Sequence, residues 1–306
     1  MNIIGKRKIW YSISLLIIVP GLISLVLFGL NLGIDFTSGE LLTAHGNVTV
    51  QQANSAASGL GFQDIEIISS GADTTQIHYR DPAPEGQHEA DHQKFKAALA
   101  NEGVTELAFD SVGPTVSSTI ATNAVVSLLL VSLAIVFYVA FAFRNAPPPV
   151  SPWSFGFTAI FALLHDAFLV LGVFSLLGHF FGVEIDSLFV TAILTVIGFS
   201  VHDTIVVFDR IRENLRREKG NFETIVNNSI LETIARSINT SLTVLLVLLA
   251  LFLFGGQSIH LFVLALMIGI ASGTYSSIFT ASPLLVTWHN YRLKQMEKMR
   301  LVPKKG

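Results

Sequence analysis

Apolar residues dominate this chain in six long stretches, at 9–30, 119–143, 152–177, 183–208, 237–254 and 259–288. Crossing about 30 Å of hydrocarbon takes roughly 20 residues at helical rise, so each stretch predicts a transmembrane helix. Between the first two the pattern changes. Residues 31–118 are mixed in polarity, and alternation at period two predicts strands at 40–45, 63–69 (QDIEIIS), 75–80 (TQIHYR) and 104–110 (VTELAFD). Helices are predicted at 50–60 and 88–101, with a turn at 71–73 between the two middle strands. The order β-α-β-β-α-β is that of a ferredoxin-like split βαβ unit. The expected fold class is an α-helical polytopic membrane protein with six transmembrane helices and one ferredoxin-like α+β domain.

Composition and charge add direction. The chain has 306 residues, 51% hydrophobic and 13% charged, with mean hydropathy +0.59. Soluble domains carry about 25% charged residues. With the N-terminus inside, all of the 19 Lys and Arg except Arg80, Lys94 and Lys96 fall on the cytoplasmic side. The positive-inside rule then places 1–8, 209–236 and the basic tail 289–306 in the cytoplasm and exports 31–118. The first apolar stretch follows Lys6-Arg7-Lys8, exceeds a signal core and lacks a small-x-small cleavage pattern, so it reads as an uncleaved anchor. Residues 146–152 (APPPVSP) predict a stiff polyproline-type link, and 209–235 a helical loop broken at Lys219-Gly220-Asn221. Cysteine is absent, which excludes disulfides, Cys-ligated zinc and thiol nucleophiles.

Against this background a few polar residues stand out. Asp203 lies in the fourth apolar stretch (GFSVHDTIVVFDRIREN), where a charge costs from about 2.5 kcal/mol upward. Such an acid either takes up and releases protons along a water path or is solvated or paired near the boundary. His202 is adjacent, but i and i+1 do not share a helix face. His165 and Asp166 repeat the His-Asp dipeptide in the third stretch (FALLHDAFLV). There the choice lies between a proton shared by two neighbouring acids and a hydrogen bond tying helices together. Arg236 opens the fifth stretch, either snorkelling with Glu232 at i−4 as partner or acting as countercharge to Asp203. Gly269 and Gly273, with Ala271, Ser272, Ser276 and Ser277, form a small-residue face for close helix approach, and Glu213 and Arg217 an i,i+4 pair. His45, His78, His88 and His92 fall in the exported segment. His88 and His92 have a zinc-compatible spacing but read as solvated, so no metal site is expected. P-loop, HExxH, GxSxG and dinucleotide signatures are all missing, so covalent catalysis is not indicated and no cofactor other than protons is expected.

The stretch NLGIDFTSGELL (31–42) resembles the G-I-D-F-x-G-G signature of the SecD/SecF translocase family, in its Gly33, Ile34, Asp35, Phe36 and Gly39. VGPTVSSTI (112–120), LLHDAFLVLG, EIDSLFVTAILTVIGFSVHDTIVVFDRIREN and RSINTSLTVLLVLLALFLFGG are similar to further segments of that family, in order along nearly the whole chain. The resemblance implies membership of the resistance-nodulation-division superfamily and an obligate SecD–SecF pair in the bacterial inner membrane. It implies work beside SecY, SecE, SecG and YajC, after SecA, on translocating unfolded polypeptide, driven by the proton-motive force. Membrane lipids surround such a chain, and nucleic acid is not among its partners. The family's essential membrane aspartate falls on Asp203 and its important arginine on Arg236. Two positions depart from the pattern: His202 stands where the family usually has Asn, and Ser38 where it usually has Gly. Ser38 then needs a backbone geometry that glycine adopts more readily, if φ there is positive. Other expectations left open are a small-molecule or lipid exporter of the same superfamily and a non-transducing scaffold.

Overall fold

Length and continuous apolar character favour helices wherever the backbone must satisfy its own hydrogen bonds, and helices account for most of the chain. The computed structural model describes residues 2–46, 48–69, 74–217 and 220–301. Its long helices are α1 (Arg7–Phe28), α5 (Pro114–Ala142), α6 (Pro152–Phe181), α7 (Ser187–Arg217), α8 (Phe222–Phe254), α9 (His260–Ser276) and α10 (Ser282–Leu301). A π-helical turn, Ser277–Ala281, joins the last two, so six rods are long and apolar enough to cross a membrane. The turn expected at 71–73 and the tail beyond 301 lie outside the described residues, as does Lys219. The helical break there is seen in the ends of α7 and α8, with Asn221 capping α8 through its side chain. The link at 146–152 contains a tight turn at Pro148 and Pro149, not one extended polyproline run.

The chain divides into two units. In the helical unit, half or more of the apolar windows of α6, α7 and the α9–α10 rod is buried, against less than a fifth in α1, α5 and α8. The first group forms the centre of this unit. Close approach depends on small residues. A Cβ on Gly21 of α1 would sit 2.8 Å from the Gly172 backbone of α6. Beside that crossing the hydroxyls of Ser24 and Ser175 bond at 2.8 Å. Likewise, a Cβ on Gly273 would lie 3.1 Å from Ser200 Cα, and one on Gly269 would collide with Val196. The small-residue face of α9 is therefore turned onto α7.

The other unit, 31–125 with 184–187, holds the sheet. Its elements are α2 (Ile34–Thr37), β1 (Gly39–His45), α3 (Val50–Ala56), β2 (Gln63–Ser69), β3 (Thr74–Arg80), α4 (Glu85–Asn101) and β4 (Thr105–Val112). The strands form one antiparallel sheet in the order β2-β3-β1-β4. Alternation puts Leu42 and Ala44 of β1 and Ile77 and Tyr79 of β3 on one face, where Ala53 of α3 and Phe95 and Leu99 of α4 close the core. Thr49 begins α3 with a reciprocal capping box to Gln52. The two histidines four apart on α4 go to different carboxylates: His88 Nδ1 lies 3.1 Å from Glu40, and His92 Nε2 3.0 Å from Glu106.

Ser38, between α2 and β1, has φ +63° and ψ 166°, a region populated almost only by glycine. The geometry expected of the family's glycine is thus imposed on a serine. Relieving it with Ser38→Gly is expected to stabilise the domain by about 1–2 kcal/mol, read as a rise in melting temperature of the purified chain. Burial pushes the His92 imidazole below its ordinary range, against the raising effect of Glu106. The folded protein therefore binds this proton less readily than the unfolded chain. Stability from neutral His92 is full above the unfolded value of about 6.5 and is lost as pH falls below it. His92→Gln should flatten the decline in melting temperature between roughly pH 7 and pH 5.

Candidate functional site

Two carboxylates are buried among the helices, and each is met by hydroxyls. Asp166 of α6 is 1% exposed. Its Oδ2 accepts from Ser200 Oγ of α7 and Ser276 Oγ of α9, both at 2.6 Å. Its Oδ1 accepts from Ser272 Oγ of α9 at 2.6 Å and from His165 Nδ1 at 3.0 Å. Three helices thus converge on one side chain. An ionised carboxylate offers about four acceptor sites, and all four are engaged here. The shell favours the helix-tying reading of Asp166. Ser272 and Ser276 stand one turn apart on α9, on the face that Gly269 and Gly273 bring against α7.

Asp203 of α7 is buried to 2% exposure and is held more sparsely. Its Oδ2 accepts from Ser241 Oγ of α8 and Thr274 Oγ1 of α9, both at 3.2 Å. Thr274 also contacts Ser241 Oγ directly, so the three polar groups form a closed triangle across α7, α8 and α9. A hydroxyl donates to a carboxylate or accepts from a carboxylic acid by rotating about its C–O bond. Two hydroxyls therefore accommodate either protonation state of Asp203 without moving a helix. A second buried link runs alongside, Thr204 Oγ1 to Ser277 Oγ at 2.8 Å, where the π-helical turn begins.

Arg236 is not brought to Asp203. The buried stripe of α8 runs through Ser229, Thr233, Ser237 and Ser241. Arg236 lies one residue off that stripe, about 100° round the helix, and is exposed. Nor is Glu232 its partner, because Glu232 Oε2 accepts from Arg210 Nε and from Asn214 Nδ2 at 3.0 Å. Among the described residues Arg236 makes no ion pair. His202 is exposed, about 100° round α7 from the buried Asp203, and makes no hydrogen bond to it. His165 and Asp166, by contrast, do meet. The Glu213–Arg217 pair forms at 2.9 Å. The family-motif residues Gly33, Ile34, Asp35, Phe36 and Gly39 all belong to the sheet-containing unit and lie in a different unit from the two buried acids.

Five hydroxyl residues of these shells went unnamed as ligands in the sequence: Ser200, Ser241, Ser272, Thr274 and Ser276. Serine and threonine are common in apolar helices, and one feature could have marked them. Ser272 and Ser276, and separately Ser237 and Ser241, recur at i,i+4 inside apolar stretches that also face an acid-bearing neighbour.

Comparison with known proteins places these residues in context. The family described as protein export membrane protein SecD/SecF, C-terminal, matches residues 93–291, and the SecD/SecF GG motif matches 23–42. The protein translocase subunit SecF of Thermobaculum terrenum is 49% identical over 303 residues, spanning 95% of this chain and 94% of that one. That of Anaerolinea thermophila is 40% identical over 296 residues, with 95% and 94% covered. The protein translocase subunit SecDF of Bacillus subtilis is 34% identical over 298 residues, where this chain spans 38% of the longer protein. The crystal structure of SecDF from Thermus thermophilus, a translocon-associated membrane protein, superposes with TM-score 0.81 at 33% identity, covering 95% of this chain and 39% of that one.

The Asp166 shell makes a direct prediction. Asp166→Ala strands three hydroxyls and an imidazole in apolar surroundings and should cost about 2–4 kcal/mol, whereas Ser272→Ala removes one donor and should cost about 1 kcal/mol. Thermal melts of the detergent-solubilised chain measure both.

Proposed function

This chain belongs to the SecD/SecF family of protein export membrane proteins, in its SecF branch, and from that premise we propose that it draws on the proton-motive force to complete protein translocation. Its partner in this reading is SecD, since relatives of the SecDF type carry a chain like this one within a longer protein. In this reading the pair works beside SecY, SecE, SecG and YajC, after SecA has driven the polypeptide in. The six spans lie in the cytoplasmic membrane with both ends inside, and the sheet-containing unit projects on the outer side, where translocating polypeptide emerges. The strand order β2-β3-β1-β4 supports reading that unit as ferredoxin-like.

The observation that carries the proposal is the setting of Asp203. It is a buried carboxylate in an apolar helix, facing two hydroxyls that suit both its forms. Desolvation penalises the charged form of an acid, and each uptake or loss of a proton changes the charge inside the helical unit by one. Protonation would let Asp203 donate its single O–H to one of the two hydroxyls, which reorient by bond rotation, and would remove the negative charge from the helical unit. Arg236 serves as countercharge only in a second arrangement, in which α8 carries it toward the ionised acid. Asp166, with His165 beside it on α6, ties α6 to α7 and α9 next to this site and stays outside the relay in this reading, and His202 tunes Asp203 from an adjoining face of α7.

Asp203→Asn keeps the shape and the hydroxyl contacts but cannot change charge. It should leave assembly with SecD intact and abolish the dependence of export on the proton gradient in membrane vesicles. Gradient-dependent export at the original rate in that variant would rule the reading out.

A further inference from the structure

The loop between α6 and α7 is short, and the sheet-containing unit holds it at four points. The N–H of Ser187, first residue of α7, donates to Asp35 Oδ2 at 2.7 Å, across 152 residues of sequence. The Gly33 N–H donates to Ile185 O and the Ile185 N–H to Asn31 O, both at 2.9 Å, so Leu32 and Ile185 pair as a parallel bridge. On the other side of the loop, Glu184 Oε2 lies 3.2 Å from His78 Nε2 of β3. At Gly33 the backbones come close: a Cβ there would sit 3.2 Å from Ile185 O, tighter than most side chains allow. Ile34 and Ile185 are buried at this contact.

Chemically the arrangement is a clasp. Asp35 supplies an anionic acceptor to a first-turn N–H of α7, where the helix dipole favours negative charge. Two backbone bonds at Ile185 and the His78–Glu184 contact fix the loop just before Ser187. All of these residues belong to the sheet-containing unit, which therefore includes the first residue of α7. From there α7 runs unbroken to Arg217 and carries Asp203 sixteen residues on, about 24 Å along its axis.

We propose that the clasp between 31–35 and 184–187 is the mechanical joint between the α/β domain and the Asp203 helix, with Asp35 as its positioning residue. The joint makes the start of α7 follow the domain, so that a displacement of one is delivered to the other. The mechanical part rests on the reading of Asp203 given above; the clasp itself does not.

The test uses the full chain paired with SecD in membrane vesicles, with two readouts. Backbone amide exchange in the first turn of α7 should speed up about fivefold or more in Asp35→Ala and be largely restored in Asp35→Asn, which keeps an acceptor oxygen. Gradient-dependent export should fall severalfold in Asp35→Ala and recover in parallel. Gly33→Ala, which crowds Ile185 without touching Asp35, should reproduce both effects. Unchanged exchange in Asp35→Ala and Gly33→Ala would remove the clasp. Faster exchange with export at the original rate would show that the clasp holds the loop but transmits nothing. Failure of the Asp203 reading is seen separately, as gradient-dependent export surviving Asp203→Asn while the exchange result stands.

Discussion

The helical unit depends on one constraint: a polar group inside an apolar bundle must find its partner within the bundle. Both buried carboxylates obey it by recruiting hydroxyls from neighbouring helices, and those contacts require the helices to lie close. Gly269 and Gly273 allow α9 to pack onto α7 at Val196 and Ser200. That packing places Ser272 and Ser276 toward Asp166 and Thr274, on the adjoining face, toward Asp203. One helix thus serves two acids because successive positions on it point in different directions.

The two acids are held differently, and the difference suits different work. Asp166 sits among four donors from three helices, an arrangement that resists change because moving any helix leaves several groups unpaired. Asp203 has two longer contacts, both from groups that reverse their polarity by bond rotation. A firm polar lock beside an adaptable one gives a bundle that can respond at Asp203 without losing its packing at Asp166.

Much of this was legible in the sequence. Six apolar stretches, two His-Asp dipeptides and the period-two segments of 31–118 follow directly from residue pattern, because span length, desolvation and strand alternation are local properties. Ser38 was marked by its departure from a glycine pattern, and its φ of +63° shows why. What the sequence withheld were contacts between distant elements. The Arg236 pairing looked sound from charge alone, yet a 100° step round α8 separates Arg236 from the stripe ending at Ser241. Glu232 satisfied the i−4 rule with Arg236, but Arg210 and Asn214 on α7 compete for it. The bond from Asp35 to Ser187 spans 152 residues, and no periodicity encodes it.

The central claim is that Asp203 changes its protonation state in the working protein. Infrared difference spectroscopy of the chain paired with SecD, in vesicles acidified on the outer side, reports carboxyl protonation directly. The account predicts a protonated-carboxyl band that appears on acidification and is missing from the Asp203→Asn variant. Identical difference spectra for the two proteins would contradict it.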